Sequence, residues 1–387
     1  MTIGSGVRDA SLRAPGAEVD PVHRSHYRPL GPVDGKGGMN ISGPYEPVLG
    51  WPLPIHPGEW RTGSGRGVVA LSPDRVVVTY GGEIPAYADE SVWGVDVFRD
   101  LRFTEVNARL LPTHRHCHEI VTYDREGRVV VSWERWLDAL HENDVAAGRT
   151  PKSGHINRIR RDPYEPDRIW VAGMGDTGIL QLTADGSEMV RKIDSRNVPT
   201  ELHPYVYAQD VAFLPDGLLI VGHLHHLAWH TRDGRFVKAM GGQGRGPGEF
   251  DGIHDVQVHP LTHDLYVNDR VNGRIQILDA AGAYRDEWGG MQGVYSIRIT
   301  ADGRYLWAAN GFAHKFLKYD MEGRLIREAT WGTFGIAPGA IWGPHWFETD
   351  GEGALYVAED YSGRVQKMRP LPGADAADPQ LIGPLCA

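Results

Sequence analysis

The chain has 387 residues, 41% hydrophobic and 23% charged, with a formal net charge of −10. That is enough apolar material for a large core and too little clustered positive charge to grip nucleic acid without regard to sequence. Two cysteines, Cys117 and Cys386, cannot make a disulfide framework, and no apolar run is long enough to span a bilayer.

Residues 1–44 carry Gly, Pro and charge without period and are predicted to form an irregular arm. They lack the apolar centre of a signal peptide, so a cytoplasmic location is expected. "YEPVLGWPLP", from Tyr45, is predicted to supply an outer strand that closes a ring. One motif then recurs: a short strand, a turn with Asp or Gly, and a β-branched strand ending in small residues. It appears as "GVVALSPDRVVVTYGG" from Gly67, "HEIVTYDREGRVVVSWE" from His118 and "HINRIRRDPYEPDRIWVAG" from His155. It continues as "QDVAFLPDGLLIVGH" from Gln209, "HDVQVHPLTHDLYVND" from His254, "YSIRITADGRYLWAAN" from Tyr295 and "HWFETDGEGALYVAED" from His345. A spacing of about 40–50 residues is the period of a propeller blade, a unit too small to bury its own face. The expected fold is an all-β, seven-bladed β-propeller over 45–372, followed by a tail, 373–387. Six blades is the alternative, because "RWLDALHENDVAAGRTPKSG" after Trp133 makes a poor third strand.

Equivalent positions in different blades meet near the channel axis. The repeated strands begin with Gly67, His118, His155, Gln209, His254, Tyr295 and His345. A lone histidine at a strand start caps a turn or is bonded in the core. His155, His254 and His345 in shared register instead suggest three neutral imidazoles converging on a metal, with His118 competing for His155's place. Tyr80, Tyr295, Asp210 and Asp255 are candidate proton carriers. Arg270 is either a clamp for a substrate carboxylate or oxyanion or a tie at a blade junction. "GHLHHLAWH" places His223 and His225 on one face of a strand and His226 on the other. "GGQGRGPGEF" lacks the Lys-Ser/Thr of a phosphate loop and is read as a connection between blades.

"HDVQVHPLTHDLYVNDRVNGRIQIL" resembles an NHL-repeat blade, whose pattern ends in D-x-x-N-x-R-I-Q. Within that family the chain is similar to the peptidyl-hydroxyglycine amidating lyases, six-bladed propellers with a channel zinc held by three histidines in alternate blades. The resemblance implies zinc ligation by His254, by His345 after Pro344 and, by blade order, by His155, with Arg270 in the active site. The departures are "VVVTYGGE", with Tyr80 but no arginine, where the lyases have an arginine just after the second strand of their first blade, histidines in "VGHLHHL" where the lyases have a tyrosine, and Gly343 where they have a methionine. Peptide amidation is therefore not expected. The expectation is a metal-dependent lyase acting on a small polar organic molecule, with hydrolase or hydratase as alternatives. Zinc is the expected metal, iron the alternative, and calcium a further structural candidate. A four-histidine iron oxygenase, including His118, and a non-catalytic scaffold are the rival classes. No nucleic-acid or membrane partner is expected, and the sequence does not indicate an oligomeric state.

Overall fold

The computed structural model describes residues 42–55, 60–81, 83–85, 120–133, 136, 155–174, 178–193, 198–199, 202, 208–375 and 377–386. All lie in the unit 41–387. Antiparallel sheets stand around an axis. Their inner strands are Gly65–Ser72, His155–Arg161, Asp210–Phe213, Ile253–Val258, Val294–Ile299 and Pro344–Thr349. Each inner strand touches the next, and the last touches the first. The protein is an all-β β-propeller of six blades, with a small extra ribbon of Trp60–Thr62 and Glu83–Pro85.

The seventh blade is absent because two repeats share one sheet. "HEIVTYDREGRVVVSWE" supplies the two outer strands of the first blade: Ile120–Tyr123 pairs directly with Arg75–Tyr80, Val78 opposite Val121. The 39 residues between Tyr80 and Ile120 separate halves of one sheet rather than two sheets. Ring closure follows expectation. Tyr45–Pro47 pairs with Val365–Pro370 as the fourth strand of the last blade.

The strands form where β-branched and aromatic residues alternate toward neighbouring blades. Trp133, Trp170, Trp229, Trp307 and Trp346 are all fully buried. Turns between strands use an aspartate and a glycine. At Asp350 the side chain accepts from the amides of Glu352 and Ala354, and Gly353 supplies a φ of 83° that a side chain would resist.

The segment expected as a tail is tied down. The Cys386 amide donates to Ile299 O at 2.8 Å, and Ile382 is in the core. Tyr45 links both ends of the chain, because its hydroxyl accepts from the Ile382 amide at 2.9 Å. Tyr45→Phe would leave that buried amide unpaired. It is expected to lower unfolding free energy by about 1–3 kcal/mol, measured by urea titration. An unchanged midpoint would show that water replaces the hydroxyl. Among the described residues no helix is long and apolar enough to cross a membrane.

Candidate functional site

Near the start of each inner strand the pairing slips by one residue. The skipped residues are Arg66, Asn157, His254, Tyr295 and His345. Gln209 joins them in the third blade, its amide bonding Gly222 O while Asp210 also faces Gly222. Such bulges re-aim side chains. They set a ring of six residues at one end of the channel, here called the upper mouth. Histidine occupies the ring in the fourth and sixth blades. The second blade, which completes the alternate set, contributes Asn157. His155 lies two residues earlier on the same strand, opposite Met174; its side chain and all of His118 fall outside the described residues. His118 precedes Ile120, the start of a third strand rather than an inner one, so the register behind the four-histidine iron reading does not hold.

The two ring imidazoles lie 5.1 Å apart, edge to face. His254 Nδ1 is 2.6 Å from Tyr295 O, and His345 Nδ1 is 2.7 Å from Arg66 O. The Arg158 guanidinium also approaches these nitrogens, at 3.1 Å for His254 and 3.3 Å for His345, but the carbonyls are nearer and only accept, so both Nδ1 atoms carry the hydrogen and in the neutral rings both Nε2 atoms keep a lone pair. Among the described residues His345 Nε2 is buried without a hydrogen-bond partner, as is Asn157 Oδ1. The Asn157 amide nitrogen is engaged by Gln209, with Nδ2 donating to Oε1 at 2.7 Å. Burial first, and then the charges of Arg270 and Arg158, hold His254 well below the ordinary imidazole value. Burial, Arg158 and Arg66 do the same for His345. Beneath them the fully buried Arg158 donates to His254 O at 2.8 Å, Tyr295 O at 3.2 Å and His345 O at 3.3 Å. It binds three blades to one guanidinium and fixes the strand starts that carry the rings.

Around this floor stand Tyr295, Tyr361, Arg270, Arg66 and Asp360. The Tyr295 ring lies 5.5 Å from His254 and 5.6 Å from His345, and its hydroxyl meets that of Tyr361 in a short hydrogen bond. The Arg270 guanidinium sits 5.1 Å over the Tyr295 ring. Arg66 pairs with Asp360 at 3.3 Å. Gly343 is explained by Tyr361, because a Cβ at this position would collide with that ring. Tyr361 was not apparent from the sequence. The signal lay in aligning "DRVNGRIQ", from Asp269, with "EDYSGRVQ", from Glu359, which puts Tyr361 opposite Val271.

That alignment also separates Arg270 from the ties. Asp269 accepts from Arg274 Nε and Asn272 Nδ2, while Arg274 donates to the carbonyls of Arg245, Gly246 and Glu249. The D-x-x-N-x-R-I-Q residues thus pin the connection "GGQGRGPGEF". Glu359 and Arg364 repeat the device in the sixth blade, where Arg364 holds Ile336 O, Gly335 O and Ala340 O. Arg270 takes no part. Its guanidinium makes no hydrogen bond or ion pair among the described residues.

The other candidates lie elsewhere. Tyr80 is buried with Trp51, Tyr123 and Tyr356, its hydroxyl 3.2 Å from Tyr123's, beside an outer cavity of about 380 Å³. It belongs to the core between blades, because it ends a second strand and not an inner one. Asp210 and Asp255 are wholly buried beneath the ring. They accept from the next blade's amides, Val256 N at 2.9 Å and Ile297 N at 2.8 Å, and share Arg160. They are latches between blades rather than proton carriers at the mouth. In the histidine tract His223 and His226 are buried and stacked 4.5 Å apart. Among the described residues no group of three or more His, Cys, Asp or Glu side chains could hold a metal ion.

No family model matches the chain, and no curated protein matches it. Solved structures do. One is a protein of unknown function from Bacteroides thetaiotaomicron VPI-5482, at TM-score 0.50 and 11% identity over 80% of this chain and 70% of that one. Another is streptogramin B lyase, at 0.49 and 12% over 84% and 96%. A third is a catalytically inactive virginiamycin B lyase from Staphylococcus aureus with quinupristin, at 0.46 and 12% over 84% and 88%. At such identities the likeness is one of fold, and the fold is the β-propeller.

Proposed function

We propose that the chain is a metal-dependent lyase that acts on a small anionic organic molecule at the upper mouth of the channel. The observation that carries this reading is the paired state of His254 and His345: neutral, 5.1 Å apart, each with Nδ1 committed to a carbonyl. A fixed hydrogen bond on the far nitrogen is how metal-binding imidazoles are oriented. The donor chemistry fits a borderline-soft divalent ion. Two neutral nitrogens are joined by the unpartnered Asn157 Oδ1 in the alternate blade, with His155 on the same strand as the further candidate. Such an ion, zinc above all, would polarise a substrate oxygen or acidify a bound water.

The protein's own groups supply the rest. Arg66, Arg158 and Arg270 gather three positive charges around the imidazoles, against Asp360 at the mouth and Asp255 below. That excess selects an anion. Arg270, whose guanidinium makes no hydrogen bond or ion pair among the described residues, is the group left to orient it. Tyr295 is kept protonated by burial and by Asp360, so it serves as a hydrogen-bond donor. A metal-free alternative keeps the same residues and makes an imidazole Nε2 the proton acceptor. It is favoured by the lack of a third histidine in the ring.

Elemental analysis separates the two. About one divalent metal per chain is expected in the wild type, with strong loss in His254→Ala and His345→Ala. Asn157→Ala and His155→Ala then identify the third donor. Full occupancy in both ring-histidine variants would end the metal reading.

A further inference from the structure

The upper mouth is cationic at its floor and apolar at its rim. The rim follows from the repeat. Val271, Phe312 and Tyr361 hold the same place in the turns of three successive blades, one residue past Arg270, Gly311 and Asp360. Phe312 is 58% exposed, and its ring packs edge-on against Tyr295 at 5.8 Å. Its turn is built rather than loose. Asn310 Oδ1 accepts from the amides of Phe312 and Ala313, and Gly293 leaves the space that the Phe312 ring fills. Two residues on, His314 lies 4.8 Å from the ring of Phe334, which is 61% exposed and itself meets Trp342 at 5.9 Å. His314 is fixed in turn, since its Nδ1 accepts from the Gly343 amide. Contacts therefore run from Arg270 through Tyr295 to Phe312, and a second set runs from His314 through Phe334 to Trp342.

Large exposed aromatic side chains grouped beside a polar floor mark a binding surface. Here the charge beside them is positive, in a chain whose net charge is −10. We propose that the substrate is amphipathic: a small carboxylate or similar anion bearing an aromatic or branched aliphatic group. Its head lies at Arg270, and its apolar part lies on the shelf of Val271, Phe312 and Phe334. This rests on the reading of the mouth as an anion site and adds the substrate class.

The test is calorimetric titration of the full chain with 3-phenylpropionate, propionate and 3-phenylpropanol. Wild type is expected to bind 3-phenylpropionate about tenfold or more tightly than propionate, the effect of covering one ring. Phe312→Ala and Phe334→Ala should each weaken 3-phenylpropionate several-fold and leave propionate unchanged. Arg270→Ala should weaken both acids about tenfold or more and leave the alcohol unchanged. If Arg270→Ala weakens both acids while the phenylalanine variants change nothing, the shelf is refuted and the anion site stands. If Arg270→Ala binds both acids as wild type does, or no probe binds, the anion site and the shelf both fall. Thermal unfolding of each variant confirms that an exposed side chain was removed without loss of fold.

Discussion

Replacing Arg270 by alanine is expected to lower turnover about a hundredfold or more while leaving fold and metal content intact. The size follows from the task. A fixed donor aimed at developing negative charge contributes roughly 3–4 kcal/mol to the transition state. The selectivity follows from the geometry. The ties that hold the fourth blade to its connection belong to Asp269 and Arg274, and among the described residues the Arg270 guanidinium contributes its contact with the Tyr295 face. Losing a contact of that kind costs about 0.5–1 kcal/mol at a partly exposed site. Arg270→Lys should restore little, because a point charge does not replace a planar fork. Steady-state kinetics, elemental analysis and thermal unfolding on one preparation check all three statements. A variant that unfolds early yet keeps full specific activity would make Arg270 structural.

The largest loss of stability is expected from Arg160→Met, about 3–5 kcal/mol at neutral pH. Arg160 donates to Asp210 Oδ1 at 3.0 Å and to Asp255 Oδ1 at 2.8 Å, and all three side chains are buried. Its guanidinium also packs 4.4 Å from the centre of the Trp346 ring, which Arg158 and Arg298 meet at 4.5 and 4.9 Å. Without Arg160 two carboxylates that latch neighbouring blades would share a dry space with no hydrogen-bonded cation, Arg158 standing 4.0 Å from Asp255.

The effect has a sign in pH. Burial pushes Asp255 up to about 6 even with Arg160 present, and the negative Asp210 adds to this. Burial raises Asp210 too, but Arg160 outweighs it and holds that group below the ordinary value. A raised carboxyl binds its proton more tightly folded than unfolded, so its contribution to stability falls as pH rises through the interval below about 6. Removing Arg160 lifts both carboxyls and extends that fall upward. The deficit should therefore be largest at pH 8 and smaller at pH 5, read from urea midpoints. A deficit under about 1 kcal/mol, or one independent of pH, would show that water or a shared proton replaces the cation.

The propeller and its closing strand were legible because turns rich in Asp and Gly recur between β-branched runs, and because Tyr45–Pro47 stands apart from any partner nearby in sequence. The blade count was not, because an insertion within one sheet looks like a boundary between two. At the site, His254, His345, Tyr295 and Arg270 were found together. Arg66 and Asn157 were missed for one reason: strand starts were placed by residue type, whereas the bulge sets the register. From His155 to Asn157 the slip is two residues, which alternation does not detect, whereas from Gly67 to Arg66 it is one residue and the bulge itself hides it. Tyr80, Asp210 and Asp255 were misplaced because alternation does not tell the channel side from the side facing the next blade, nor how deep a residue lies.

The Tyr45–Ile382 contact also orders events in time. It joins residues 337 apart, and closing a flexible loop of that length costs roughly 5 kcal/mol of chain entropy before any strand pairs. During synthesis the first blade emerges while its neighbour on one side does not yet exist. The N-terminal strand then waits, unpaired, for the final blade to leave the ribosome. Until that moment the growing chain is an open arc with two raw sheet faces, so chaperone capture and aggregation should both be greatest just before Val365–Pro370 emerges, and chains that stop short of Val365 should never escape that state.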